Sequence, residues 1–306
     1  MKRKVVLLQG GFSEERDISL KSSAAIHQAL IDLDYETFQL DPGDFANCLF
    51  LGEKIITLKP DIVFIGLHGG SGEDGTIQAF LSLLDIPFTG SGMKSSALCM
   101  DKLLSFALAA SIGVKIPSYL VLDKESKNYS SIIDRLGLPL VIKPNNSGSS
   151  VGISIVKEPS TLKTAITEAF RYSRQVIAQK YIAGSELTVS ILGERALPVV
   201  EIKVKEGWYD YQNKYTKGKT IYEVPAVLPA KVTKELQEFG LRIFKLFDCR
   251  AYARVDFRYD GQDLYFLEVN TLPGMTSLSL TPMAAKEVGI SFPELIKMII
   301  EFSLSG

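Results

Sequence analysis

The sequence predicts an α/β protein with α+β elements: an open parallel-sheet domain at the N-terminus, then two α+β domains. Three observations carry that expectation. A short apolar run, a glycine-rich loop and a helical stretch follow one another twice, as Val5–Leu8 with Gly10-Gly11 and Asp61–Gly66 with Gly69-Gly70. Such repetition argues a parallel sheet whose ligands sit at the carboxyl ends of its strands. From about Ser91 the pattern turns to short strands around a Gly-Ser loop, and after Leu187 to strands of an antiparallel sheet. At 306 residues the chain can bury two or three cores, and the expected domains are 1–95, 96–182 and 183–306.

Composition narrows the function classes. A net charge of −1 gives no electrostatic reason to expect nucleic acid or an anionic membrane surface. Lys2, Arg3 and Lys4 precede only four apolar residues before Gln9-Gly10-Gly11, too few for a signal-peptide core. No stretch approaches the ~20 apolar residues of a membrane span. Cys48, Cys99 and Cys249 show no metal-type spacing, so buried thiols in a reduced cytoplasm are expected.

In the first domain, Val5–Leu8 and Asp61–Gly66 read as buried parallel strands. Helices are expected from the Ser13-Glu14-Glu15-Arg16 segment to about Leu33, and from about Gly75 to Leu84. Glu15 fits either a helix-terminus charge or a holder of a substrate ammonium group. His68, at a strand end, is as readily a packed residue as a catalytic one, and His27, mid-helix, reads as structural. Asp41 follows the next strand, where a nicotinamide dinucleotide would need an acid. Gly10-Gly11 nevertheless lacks the G-x-G-x-x-G spacing of that site.

The middle domain opens with an apolar helix from Met100-Asp101-Lys102 to Ile112, then strands at Tyr119–Leu122, Pro139–Lys143 and Ile153–Val156. Lys143 ends a strand that leads into Asn145–Gly152, a low-bulk loop whose serines and N–H groups can cover phosphates. No Walker-type G-K-[ST] is present, which excludes a P-loop. Gln175–Ile182 reads as a strand with Glu186 just beyond it.

In the last domain, Glu206–Ile221 is a long polar and aromatic excursion of the kind that forms lids. Thr233 is expected to cap a helix to about Phe247. Ser291-Phe292-Pro293-Glu294 reads as a capping box. Between them, Tyr252–Phe257 and Leu264–Val269 form a hairpin about Asp260-Gly261. A three-residue loop, Gly261 to Asp263, would set Asp256 opposite Glu268, whereas a two-residue loop would send them to opposite faces. Facing carboxylates call for a counter-ion. With the Asn270 amide they make a hard oxygen site suited to Mg²⁺. The small polar run Thr271–Ser279 then offers N–H groups to an anion.

The segments RVD (Arg254–Asp256) and LEVNTLPGMTSLSLTPM (Leu267–Met283) resemble the C-terminal signature of the D-alanine–D-alanine ligases, members of the ATP-grasp family. GGFSEERDISLKS (Gly10–Ser22), LHGGSGEDGTIQ (Leu67–Gln78) and YDYQNKYT (Tyr209–Thr216) resemble its N-terminal, histidine and ω-loop motifs, in family order. The resemblance implies the ATP-grasp fold, a Rossmann-like first domain and two α+β domains sandwiching ATP. It also implies two Mg²⁺ or Mn²⁺ ions on Asp256, Glu268 and Asn270, and a cytoplasmic homodimer that makes D-alanyl-D-alanine for peptidoglycan.

By the same resemblance, Lys102 and Lys143 hold the α- and β-phosphates, Lys214 nears the γ-phosphate, and Ser149 and Ser150 belong to the flap. The backbone of Gln179, Lys180, Tyr181 and Ile182 meets adenine, and Glu186 takes the ribose hydroxyls. Glu15 binds the first D-alanine's ammonium, with His68 near its carboxylate. Arg254 and the Gly274 N–H stabilise the tetrahedral oxyanion, Ser279 and the Leu280 N–H take the second carboxylate, and Ser149 with Tyr215 links flap to ω-loop. Gln179 departs from the family's common Glu, and Ser147 from a common acid. Other readings are a different carboxylate–amine ligase, a nucleotide-sensing module without turnover, and a dehydrogenase.

Overall fold

The computed structural model describes residues 2–124, 129–148, 150–205 and 219–305. Ser149, Lys214, Tyr215 and the rest of 206–218 lie outside the described residues.

The first sheet is parallel, with β1 (Lys4–Leu8) between β2 (Glu36–Leu40) and β3 (Ile62–Ile65). Helices cover both of its faces, so the apolar runs Val5–Leu8 and Ile62–Ile65 are buried without alternation. Helix α1 (Arg16–Asp32) returns the chain from β1 to β2; α2 (Cys48–Leu58) precedes β3 and α3 (Thr76–Leu83) follows it. The Asp41 carboxylate accepts from the Gly11 and Gly43 N–H groups at 2.9 and 2.8 Å and pairs with Arg16 at 2.6 Å. It ties the first loop to the end of β2, which disposes of the ribose-binding reading. Cys48, at the first position of α2, is exposed, unlike the buried Cys99 and Cys249.

The helix expected from Met100-Asp101-Lys102 to Ile112 is α5 (Lys102–Ser111), and a further helix that the sequence did not suggest, α4 (Met93–Met100), precedes it. Asp101 breaks them: its backbone is extended (φ −85°, ψ 104°) and its carboxylate caps the Leu104 N–H at 3.0 Å. The middle sheet is antiparallel, ordered β4-β7-β5-β6 from β4 (Tyr119–Leu122), β5 (Leu140–Pro144), β6 (Ser154–Val156) and β7 (Val176–Lys180). Helices α6 (Ser130–Leu136) and α7 (Leu162–Ala169) complete its layer, and the Gly-Ser loop joins β5 to β6.

The third sheet runs β11-β10-β8-β12-β13, with β9 beside β8. Its strands are β8 (Ser185–Leu192), β9 (Arg195–Ala196), β10 (Val200–Val204), β11 (Thr220–Glu223), β12 (Tyr252–Tyr259) and β13 (Leu264–Asn270). Helix α8 (Ala230–Leu246) begins after Pro229, so Thr233 sits inside its first turn and caps nothing. Helices α9 (Leu280–Glu287) and α10 (Phe292–Leu304) end the chain, and Ser291 caps the Glu294 N–H at 3.4 Å as expected. The apolar side of α10, including Ile296 and Ile300, joins the core of the first sheet, which carries the β13–α9 loop onto the β1 and β3 loops.

The central hairpin reaches its register by a different route from the one expected. At the turn the Asp260 N–H donates to the Asp263 carbonyl at 3.2 Å, and Tyr259 pairs with Leu264 and Phe257 with Phe266. Continued unchanged, that register would face Asp256 with Leu267. A one-residue irregularity leaves Leu267 without a pairing partner and restores Asp256 opposite Glu268. A β-bulge therefore does what the loop length was expected to do.

Candidate active site

A cleft of ≈ 410 Å³ lies between the middle and third sheets. One end is apolar, lined by Val141, Ile153 and Ile155, with Gln179, Lys180, Tyr181, Ile182 and Glu186 along it; Lys102, Lys143, Ser150, Asp256 and Glu268 line the other. Lys143 comes from the buried end of β5, and Lys102 opens α5. The Lys143 ammonium is pulled down to about 7, first by burial and then by the Lys102 charge, with Glu268 opposing the shift. Its Nζ stands 4.9 Å from the Phe106 ring centroid. Lys102 Nζ donates to the Ser147 carbonyl at 2.7 Å and lies 3.3 Å from Glu268 Oε2, joining flap to hairpin.

The two carboxylates already have counter-charges. Asp256 Oδ1 accepts from Arg254 Nε at 2.9 Å and Thr188 Oγ1 at 2.6 Å; Oδ2 accepts from Arg254 Nη2 at 2.9 Å and Asn270 Nδ2 at 3.0 Å. Four donors saturate a carboxylate's lone pairs. The expected need for a metal to hold these acids together is thus met by Arg254 and Lys102. In kind, two carboxylates and an amide oxygen do fit a hard divalent cation. Binding one requires Asp256 to release a donor and Asn270 to turn its amide oxygen inward. Among the described residues no group of three His, Cys, Asp or Glu is suited to a metal, so the Asn oxygen is needed to complete the set.

Across the hairpin a second, smaller cavity collects Glu15, His68, Arg254, Asn270, Gly274, Ser279 and Leu280. Glu15 is buried at the N-cap of α1, and both its helix-end position and its cavity position hold. Gly69, at φ +67°, lets the β3 loop pass it: a Cβ there would stand 2.6 Å from Glu15 Oε2. The flap's Gly148 approaches the same carboxylate, its Cβ position 3.2 Å away. His68 Nε2 lies 2.9 Å from Ser22 Oγ, which also accepts from the Met275 N–H at 3.3 Å. Those bonds fasten the loops of α1, β3 and β13 to one another. Ser279, at the N-cap of α9, accepts from the Thr276 N–H at 2.9 Å, and an added Cβ on Gly274 would stand 2.9 Å from its Oγ.

Comparison with known proteins adds to this geometry. Residues 108–301 match the family model described as D-ala D-ala ligase C-terminus, and residues 46–91 the model described as D-ala D-ala ligase N-terminus. The chain belongs to the D-alanine–D-alanine ligase family. Curated members include the D-alanine–D-alanine ligases of Syntrophotalea carbinolica (42% identical, covering 97% of this chain and 95% of that one) and Aquifex aeolicus (43%, 97% and 99%). A solved D-alanine–D-alanine ligase from Bacillus anthracis, complexed with ATP, superposes with TM-score 0.87 at 36% identity, covering 100% of this chain and 98% of that one. The VanG D-Ala:D-Ser ligase of Enterococcus faecalis gives 0.82 at 30% identity over 99% and 100%.

Within this ATP-grasp ligase, four residues escaped the sequence reading. Glu73 lines the small cavity and sets Oε1 3.6 Å from His68 Nδ1; its signal was an acid inside the same glycine-rich turn as His68. Thr188 and Arg258 belong to a ladder in which Asp256 faces Thr188 and Arg258 faces Glu186. Arg258 Nη1 donates to Glu186 Oε2 at 3.2 Å, so Glu186 is held as well as cleft-facing. Alternation of Arg254, Asp256 and Arg258 could have revealed that face. Ser22 gave no signal, because its role depends on where Met275 returns.

Proposed function

We propose that this chain is an ATP-dependent ligase that joins two D-alanines into D-alanyl-D-alanine through a D-alanyl phosphate. One juxtaposition supports the reading. Asp256 and Glu268 line a cleft with an apolar end and a lysine end, while Arg254 and Asn270, on the same two strands, line a small polar cavity of ≈ 70 Å³. A nucleotide in the first and an amino acid in the second would meet across the hairpin.

A carboxylate resists attack by an amine, so its oxygen must first take the γ-phosphoryl group of ATP and become part of a good leaving group. That step is chiefly positioning and charge neutralisation. Lys102 and Lys143 are assigned to the α- and β-phosphates, Lys214 to the γ-phosphate, Ser149 and Ser150 to the flap over them, and Glu186 to the ribose. Asp256, Glu268 and Asn270 would hold Mg²⁺ or Mn²⁺, which would neutralise charge on the phosphates. Glu15 binds the first ammonium and His68 lies by its carboxylate. Ser279 and the Leu280 N–H take the second carboxylate. When the second amine attacks, Arg254 and the Gly274 N–H stabilise the oxyanion, a donor of this kind being worth about 3–4 kcal/mol. Tyr215 closes on Ser149, excluding the water that would hydrolyse the acyl phosphate. Domains at 1–95, 96–182 and 183–306, and a cytoplasmic homodimer, belong to the same proposal. Incubation with ATP, D-alanine and hydroxylamine should trap D-alanine hydroxamate; ADP formation without hydroxamate or dipeptide would sink the acyl-phosphate route.

A further inference from the structure

Glu73 lies in the turn between β3 and α3, its side chain 14% exposed, and the ligase chemistry so far assigns it no task. With Asn270 it lines both the small polar cavity and a narrower one that borders Lys102, Gly148 and Glu268. Its Oε1 stands 3.6 Å from Nδ1 of His68, whose side chain is 6% exposed. On the far side of that ring, Nε2 lies 2.9 Å from Ser22 Oγ.

Hydrogen-bond accounting at Ser22 decides which ring nitrogen carries the proton. Ser22 is fully buried, and its Oγ accepts from the Met275 N–H at 3.3 Å. A hydroxyl has one proton to donate. Among the described residues the acceptor within reach of that proton is His68 Nε2. Were Nε2 protonated, Ser22 would accept twice and its own proton would be buried without an acceptor, which is costly. With Nε2 bare, the hydroxyl donates to it and every group is satisfied. The proton of the neutral imidazole then sits on Nδ1, the side on which Glu73 stands. An ionised carboxylate can only accept, so Glu73 favours the same tautomer from the other face of the ring.

We propose that Glu73 is a positioning residue: it holds His68 as the Nδ1–H tautomer and, through Ser22 and the Met275 N–H, fixes the β13–α9 loop that carries Gly274 and Ser279. The chain of contacts runs from one carboxylate through the ring and the hydroxyl to a single backbone N–H. An approach of about 0.6 Å brings Nδ1 and Oε1 to the usual ~3.0 Å of a hydrogen bond. With both nitrogens turned to the protein, His68 walls the cavity beside the first substrate's carboxylate and donates nothing to it. Loss of the carboxylate frees the ring, and with it the loop that presents the oxyanion donor and the second-substrate site. The consequence for turnover rests on the ligase reading; the tautomer does not.

The chain has two histidines, so nitrogen-15 spectra of histidine-labelled protein read the tautomer directly, and His27→Gln leaves His68 alone in the spectrum. They are recorded without substrate at pH 9, well above the ~6.5 of a free imidazole. The unmodified protein should show His68 protonated on Nδ1, and Glu73→Gln, whose amide oxygen still accepts, should keep it so. Glu73→Leu should shift the proton toward Nε2. In dipeptide synthesis Glu73→Leu should lower kcat about ten- to hundredfold with ADP affinity unchanged, and Glu73→Gln should stay within about threefold of the unmodified protein. An Nε2–H ring in the unmodified protein overturns the proposal without any variant. So does an unchanged tautomer in Glu73→Leu, or an equal loss of kcat in the Gln and Leu variants. No dipeptide from the unmodified protein would sink the ligase reading, whereas the spectra decide the link between Glu73 and His68 either way.

Discussion

Lys143 should take up a proton when nucleotide binds. In the open cleft its ammonium is pulled down to about 7, first by burial and then by Lys102. A polyphosphate at the lysine end of the cleft supplies negative charge that returns the group toward its ordinary pKa of ~10.4. At pH 8 the free protein then carries about a tenth of a proton on Lys143 and the complex nearly a whole one, an uptake of about 0.9 per nucleotide; at pH 7 the uptake is about 0.5, at pH 6 about 0.1. Affinity for ADP should accordingly fall by up to about tenfold per pH unit between pH 7.5 and 9.5. Calorimetry of metal-free ADP in buffers of differing ionisation enthalpy reads the uptake directly. Lys143→Arg, whose guanidinium stays charged throughout, should bind ADP with uptake near zero. Uptake below about 0.2 at pH 8 in the unmodified protein, or equal uptake in the Arg variant, would refute the reasoning. The sign for stability follows from the same shift. The unfolded chain binds the proton over the range from about 10 down to 7 where the folded chain does not, so without nucleotide stability rises with pH there and is flat below it. Lys143→Met should remove that contribution and lose turnover.

Glu268→Gln should leave the fold intact and nearly abolish turnover, because a weakened cation site no longer neutralises phosphate charge; near-normal phosphate release at saturating Mg²⁺ would remove Glu268 from that role. Deleting Leu267 removes the bulge and carries Glu268 into the place opposite Asp256, with Asn270 still opposite Arg254, so the two acids should stay on one face and activity should survive. A loss of about a hundredfold or more with strand content retained would show that the bulge itself, and not only the pairing it restores, positions the acids. Tyr215→His should gain D-alanyl-D-lactate synthesis below the imidazole pKa of ~6.5, since a cation there repels the ammonium of a second D-alanine. Product analysis from pH 6 to 9 decides it, and a preference independent of pH would clear Tyr215 of specificity.

Much of this was legible because the signals were local. Val5–Leu8 and Asp61–Gly66 announce buried parallel strands by being apolar throughout, and Ser291–Glu294 announces a helix start. The candidate site residues were picked out by their motifs, and those among the described residues fall along two adjoining cavities. What escaped depends on partners distant in sequence. The Leu267 bulge is a property of the strand pair, not of either strand. Arg254 and Lys102 neutralise the carboxylates from the next residue but one and from another helix, so charge counting along the hairpin overstated the need for an ion. Thr233 looked like a cap because hydroxyls favour that position, yet α8 starts earlier, after a proline.

The central claim is tested most directly by phosphate release with ATP, Mg²⁺ and D-alanine, set against L-alanine, D-serine and D-lactate in place of the second substrate. D-Alanine should give one phosphate and one D-alanyl-D-alanine per ATP consumed, with no appreciable turnover on L-alanine and no ester from D-lactate at neutral pH. ATP hydrolysis indifferent to D-alanine, or tight ATP binding without any product, would contradict the ligase account.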